Sequence, residues 1–491
     1  MSLKHWALVG GAVACLNAFS AVAAPWVDPG DPRARFAIQK LADRDHLEAS
    51  ITTWPISWAD ATSGKRGATQ DHQAVGMAAA YLNFEKEQQA SEGFRGEFNL
   101  RVQNEVPGIT GFEQTGTGKA ETSVNLQWQG GFWALGIKPT YTYEPDDDKE
   151  LRLDGSYFAV NPGNWVLGAG AIDRWWGPGW QSSLVLSNNA RPLPSVWLTR
   201  NRTAAPETSW LNWIGPWDFT ILAGQLESDR HVPDAKLIGM RLSLKPINGL
   251  DVGFSRILVF GGEGYSENTT TVWNGLIGKD NGQGGANEPG DQLGSVDVRY
   301  GFALGDQSIG FYGQMMGEDE AGFFPSRKSW LLGVDWTTQL FNADQQWFFE
   351  YTNTTADDFL GDARPNISYE HSRYKSGNRY YGRNIATSFD GDAAAVTLGA
   401  YHFFNSGSNL SAKFSYAELN KDGASRARAE ENIFYTVPVS SQKVGIANLG
   451  FGTEVLNGWL DLNVQATDKE IEYISGEKDQ FSASVSWTYR F

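Results

Sequence analysis

Cysteine is almost missing from this chain of 491 residues: Cys15 is the only one. It falls inside an N-terminal segment with Lys4, an apolar run from Trp6 to Phe19 and the small residues Ala21-Val22-Ala23-Ala24 before Pro25, the order of a secretory leader. Cleavage is expected after Ala23, leaving residues 1–23 as signal peptide and a mature chain without a disulfide. Beyond that leader no run approaches the roughly 20 apolar residues of a spanning helix, so any membrane crossing must use strands. Positive charge is also scarce, with 40 Lys plus Arg against 57 Asp plus Glu and a net charge of −17. That balance excludes nucleic acid, whose phosphates require a basic surface. The six histidines form no metal-spaced pair, no Ser/His/Asp set suggests a nucleophile, and the glycine-rich loops follow no phosphate-binding pattern. No cofactor is expected.

Aromatics and glycine are abundant: 20 Trp, 27 Phe, 17 Tyr and 55 Gly. They suit short strands with aromatic girdles and tight turns. The last eleven residues alternate cleanly, with Phe481, Ala483, Val485, Trp487, Tyr489 and Phe491 on one face and Ser482, Ser484, Ser486, Thr488 and Arg490 on the other. Similar period-two segments of membrane-strand length recur from Phe94 onward, among them one carrying Leu151, Leu153 and Tyr157 on a single face. The expected fold is therefore mainly β: a transmembrane, outer-membrane antiparallel β-barrel of about 18 strands over residues 93–491. Short turns such as Gly130-Gly131, Gly215-Pro216 and Gly305-Asp306 alternate with long links at 105–119, 173–194, 261–291, 318–328, 355–391 and 420–440. The short ones are expected in the periplasm and the long ones at the cell surface. Residues 24–92 carry helical spacing over 33–48 and 73–89, with a turn at Pro55 that starts another short helix, and are read as a small periplasmic α-helical segment docked beneath the barrel. A cylinder of that size is wide enough for an aqueous channel unless loops and helices close it.

The stretch Asp173-Arg174-Trp175-Trp176-Gly177-Pro178-Gly179-Trp180, followed by Ser182-Ser183-Leu184 and Ala190-Arg191-Pro192, resembles the Wzi family of capsule assembly proteins. Thr53-Trp54-Pro55, Ala205-Pro206-Glu207-Thr208, Gly261-Gly262-Glu263-Gly264, Asn287-Glu288-Pro289-Gly290 and residues 313–320 look like the same family, so the likeness runs from about Asp31 to about Glu320 and then thins to strand pattern. The resemblance implies an outer-membrane lectin that anchors capsular or exopolysaccharide at the cell surface and aids capsule assembly without bond-making chemistry. A porin-like or polysaccharide export channel is the alternative that barrel size alone supplies.

Sugar binding requires flat apolar rings under pyranose faces and polar groups fixed to hydroxyls. The polysaccharide-binding candidates are Trp175, Trp176 and Trp180 in the first motif, Tyr265 and Trp273 in the link 261–291, and Tyr369, Arg373, Tyr374, Arg379, Tyr380 and Tyr381 in the link 355–391. The tryptophans have a second reading, as a lumen plug. The last group is an aromatic and cationic cluster in an acidic protein, suited to an acidic polymer. Glu263, Glu288 and Glu318-Asp319-Glu320 raise calcium or glycoside hydrolysis, yet they lie on separate loops without calcium-loop spacing. Expected partners are thus polysaccharide and outer-membrane lipid, with a periplasmic export partner for the helices.

Overall fold

The computed structural model describes residues 26–64, 72–276, 290–321, 324–357, 362–425 and 427–491. The leader assigned to residues 1–23 lies outside them, as do 277–289 of one long link. From Gly93–Gln103 onward the chain is an antiparallel meander that closes on itself when Phe481–Arg490 pairs with Gly93–Gln103, in a register running from Ser484 opposite Gln103 to Arg490 opposite Glu97. Closure removes every sheet edge, the condition for strands to cross a lipid bilayer. The barrel has 18 strands, two of them broken. Trp133–Ile137 and Thr140–Pro145 both pair with Gly118–Gln129, and Leu151–Arg152 and Tyr157–Val160 form the next broken strand. The break shifts the side-chain phase, so Tyr157 points inward against Trp26, 4.7 Å between ring centres, while Leu151 and Leu153 stay outside.

Alternation survives in three dimensions as an apolar exterior around a polar wall. Phe481 and Val485 are about half exposed on the outer face, while Ser482 and Ser486 are buried within. The two kinds of link also segregate, though three details differ from the expectation. Residues 318–321 and 324–328 are strand rather than loop, because Gln307–Ala321 and Phe324–Leu340 stay paired as far as Ala321 opposite Phe324. Further loop-end links occur at 226–235 and 468–480, and one turn-end link, 201–216, is long.

The lumen is filled rather than capped. Helix α1, Pro32–Asp43, starts at an Asp31 cap whose carboxylate accepts the Arg33 and Ala34 amides, with Pro32 in the first turn. Instead of lying beneath the barrel, α1 enters its turn end and is buried from Ala34 to Asp43. Charged wall residues hold it there. Lys40 pairs with Asp344 at 3.1 Å, and Arg299 bridges Asp43 and Asp335 at 2.5 and 2.9 Å. Such pairs offset the cost of burying ions in a way apolar contacts cannot. Helix α2, Trp58–Ala61, is capped by Ser57, and α3, His72–Ala90, packs on α1 with the Tyr81 hydroxyl donating to Asp31. Buried Trp54, Trp58 and Phe112 form the apolar centre of this half.

Candidate functional site

The link 172–193 folds back into the cylinder, and its first residues add a strand to the N-terminal segment: Trp175 lies opposite Trp54 and Trp176 opposite Thr53. The tight bend at Gly177-Pro178-Gly179 then presents three successive amides to one carboxylate. Glu350, from the wall strand Ala343–Asp357, accepts from Trp180, Gln181 and Ser182 at 2.8, 3.3 and 2.8 Å, and from the Tyr312 hydroxyl at 3.1 Å. Gln314 holds the other side of the bend, accepting from the Leu184 amide and donating to the Trp176 carbonyl. Arg35 of α1 reaches into the same knot, stacked 4.1 Å over Trp180 and 4.5 Å over Phe112, and donates to the Pro178 carbonyl at 2.6 Å. Trp175, Trp176 and Trp180 are at most 1% exposed. Burial leaves their rings no open face for a pyranose, and their work here is that of a plug.

Above this plug the link 362–393 forms a lid. Tyr369 donates its hydroxyl to the Leu184 carbonyl and its amide to Glu318; Tyr374 donates to the Gly261 carbonyl. Arg379 is paired with Asp390 at 2.7 Å, which removes its charge from any external anion. Tyr369, Tyr374, Arg379 and Tyr380 are therefore buried lid structure, for the physical reason that polar and aromatic groups in a filled lumen satisfy one another. Four candidates keep surface. Trp273 is 61% exposed on the helix Thr269–Leu276, while Tyr265, Arg373 and Tyr381 are partly exposed. Tyr265 packs on Tyr374, and Tyr381 covers the Arg191 guanidinium at 4.6 Å. The loop carboxylates do not assemble: Glu318 is occupied by the lid, Glu288 lies outside the described residues, and among those residues no three metal-ligating groups meet.

Two cationic residues and a histidine that sequence order hid come together beside Arg373. The Arg428 amide donates to the Lys375 carbonyl at 3.1 Å, and the His231 amide to the Ser376 hydroxyl at 2.9 Å, so links 226–235, 362–393 and 420–441 meet at one spot. Partial burial, with Lys375 and Arg428 beside it, holds the His231 imidazole below its usual range despite Glu430. The signal was faint because the residues are 50 to 200 positions apart and only Lys375 neighbours a residue singled out from sequence.

Asp392 locks the lid to its stem, accepting from the Asn366 amide at 2.6 Å while Asn366 donates to Asp422 at 2.5 Å. Burial raises its carboxyl to about 7 against the pull of the Asn366 amide, and Asp422, Glu370 and Asp390 raise it further. A carboxyl raised on folding favours the protonated folded form, so this contribution is complete below about pH 4 and is lost as pH rises toward 7. Proteolytic nicking within residues 362–391 is expected to rise between pH 5 and pH 8, and Asp392→Asn to flatten that dependence; an unchanged slope in the variant would assign it elsewhere.

Residues 98–483 match the family model described as capsule assembly protein Wzi, well past the point where motifs were readable. The structure of the Escherichia coli protein Wzi, described as an outer-membrane protein involved in group 1 capsule assembly and a carbohydrate-binding β-barrel, superposes with a TM-score of 0.82. The superposition covers 95% of this chain and 100% of that one at 26% identity. A Klebsiella pneumoniae protein, described as an uncharacterized 55.8 kDa protein in a cps region, is 32% identical over 302 residues, spanning 60% of this chain and 58% of that protein.

Proposed function

The chain belongs to the capsule assembly protein Wzi family, and from that membership we propose that it is an outer-membrane lectin that holds capsular or exopolysaccharide at the cell surface without making or breaking bonds. The carrying observation is a lumen closed to polymer beneath a cationic and aromatic loop end. A channel for polymer requires a clear bore, and here α1, the 172–193 bend and the lid fill it. Arg373, Lys375 and Arg428 meet instead, beside His231, at the loop end of a protein whose net charge is −17. Gathering like charges from two links costs stability, and an anionic partner offsets it. Trp273, Tyr265 and Tyr381 add ring surface for sugars nearby. A long polymer needs only weak affinity at each site, because holding one repeat presents the next at high effective concentration.

In this reading the loop end faces outward and the helical segment, residues 24–92, faces the periplasm. The outer face meets lipid, supported by exposed Phe254, Phe311, Phe414 and Phe451 around the barrel. Met77 and Phe84, more than half exposed on α3, support a periplasmic export partner for that helix.

In a deletion strain, polysaccharide is expected to move from the cell-attached to the shed fraction with total synthesis nearly unchanged. Equal loss of both fractions would point to synthesis or export instead. Complementation with the Lys375→Glu/Arg428→Glu chain is expected to leave about tenfold more polymer in the medium than the wild-type chain, because the reversed charges repel an acidic polymer.

A further inference from the structure

Among the described residues, the deeply buried ion pairs that anchor the plug lie on one side of the barrel. The plug's buried ionic anchors come from the wall strands between residues 236 and 357: Arg241 with Asp297, Arg299 with Asp335, then Asp344 and Glu350. The opposite wall, built from strands Gly93–Gln103, Gly118–Gln129, Gln442–Val455, Gly458–Thr467 and Phe481–Arg490, lines a cavity with Asn99, Ser123, Asn463, Ser486 and Thr488 among the charged Glu97, Arg101, Glu121 and Asp461. Side chains of this wall bond to each other, as Asn99 does to Thr488 and Gln465 to Asn448, both at 2.7 Å. This cavity, between that wall and the plug, has a volume of about 350 Å³. Arg101 and Lys138 line it with no ion-pair partner among the described residues. The carboxylates of Glu97, Glu121, Asp173 and Asp461 line it too, and charges of both signs that do not touch need water between them, which a polar, roomy cavity holds readily.

Each end of the cavity is closed by charge. At the loop end Arg191 pairs with Asp147 and Asp154, both at 2.7 Å, under the Tyr381 ring. At the turn end Arg490, the next inward residue after Thr488, pairs with Glu85 of α3 at 2.9 Å and approaches Glu97 at 3.5 Å. The Arg490 pair is partly exposed, so it is weak and opens easily. We propose that this cavity is a hydrated side passage by which water and small inorganic ions cross the otherwise plugged barrel, with the Arg191 and Arg490 clusters as its two gates. It is far too narrow for polysaccharide and stands apart from the lectin reading.

The full chain reconstituted in potassium-loaded liposomes tests this. Wild-type vesicles are expected to leak potassium faster than protein-free ones, and the Arg191→Ala/Arg490→Ala variant, checked for heat-modifiable migration, to leak about fivefold faster again, as widening two constrictions in series requires. With no cysteine after position 15, Ser486→Cys can be labelled alone. A bulky maleimide there is expected to bring the leak down to the protein-free level, whereas the same label on Val485→Cys, on the outer face, leaves it unchanged. Failure of Ser486→Cys to label, a leak that survives complete labelling, or vesicles as tight as protein-free ones in both wild type and double variant would each overturn the proposal.

Discussion

Glu350→Ala is expected to destabilise the barrel on the order of 3–5 kcal/mol, the scale of breaking a buried charged network, and to loosen the 172–193 link from the lumen. Three backbone amides and the Tyr312 hydroxyl converge on that carboxylate. Deleting it strands all four donors in a dry interior, and each buried donor left unmade costs roughly 1–3 kcal/mol, reduced where water enters. The wall itself keeps its ladder pairing, Glu350 opposite Gly333 and Thr397, so a folded barrel with a disordered bend is the expected product. Urea titration of heat-modifiable migration reads the loss of stability, and accessibility of Trp180 to an aqueous quencher reads the released bend. Glu350→Gln retains one acceptor oxygen and is expected to fall between wild type and alanine; equal behaviour of all three chains would remove the carboxylate from the plug's support.

Removing residues 26–90 is expected to convert the barrel into a pore whose conductance exceeds the intact chain's by at least about tenfold, since an 18-strand cylinder leaves an aqueous bore once emptied. The deletion takes α1 from the turn end, the Arg35 brace from Trp180 and the Thr53–Trp54 strand from Trp175–Trp176 at one stroke. Arg241 and Arg299 keep Asp297 and Asp335, so neither of these two wall guanidinium groups is left without a carboxylate. Strand pairing between Gly93–Gln103 and Phe481–Arg490 does not involve the deleted residues. Planar-bilayer recording separates the two roles of the helices. A truncated barrel that conducts no better than the full chain would mean that the 172–193 bend closes the lumen unaided, leaving the helices to a periplasmic partner.

Local pattern carried most of the wall. Alternation at Phe481–Phe491 is a statement about two solvents on two faces of one strand, and it needs no distant residue to be read. The broken strands were harder, because the phase slip between Leu153 and Tyr157 changes which face a residue takes without changing composition. The 318–328 misreading has a similar cause: acidic residues at Glu318 to Glu320 look like a loop, yet Glu318 faces the lumen, where the lid amide of Tyr369 accommodates it. Alternation cannot reveal which side of the wall holds a polar partner.

The candidate site divided along the same line. Trp175, Trp176 and Trp180 stood out by spacing, but the chain itself does not say whether a tryptophan in a long link faces water or folds inward. That was settled by contacts with Thr53, Phe112 and Phe348, from elements far away in the chain. Arg379 read as a free cation until Asp390 was placed beside it, and His231, Lys375 and Arg428 were unremarkable until three links met.

Amino-acid order by itself determined the absence of disulfides, the strand number and the apolar exterior, because each depends on composition or on neighbours two residues apart. Tertiary structure alone decided that the lumen is filled, which aromatics are plug and which are surface, and where positive charge gathers. Those outcomes depend on the pairing of buried charges and amides across hundreds of residues, an energy that no local period encodes.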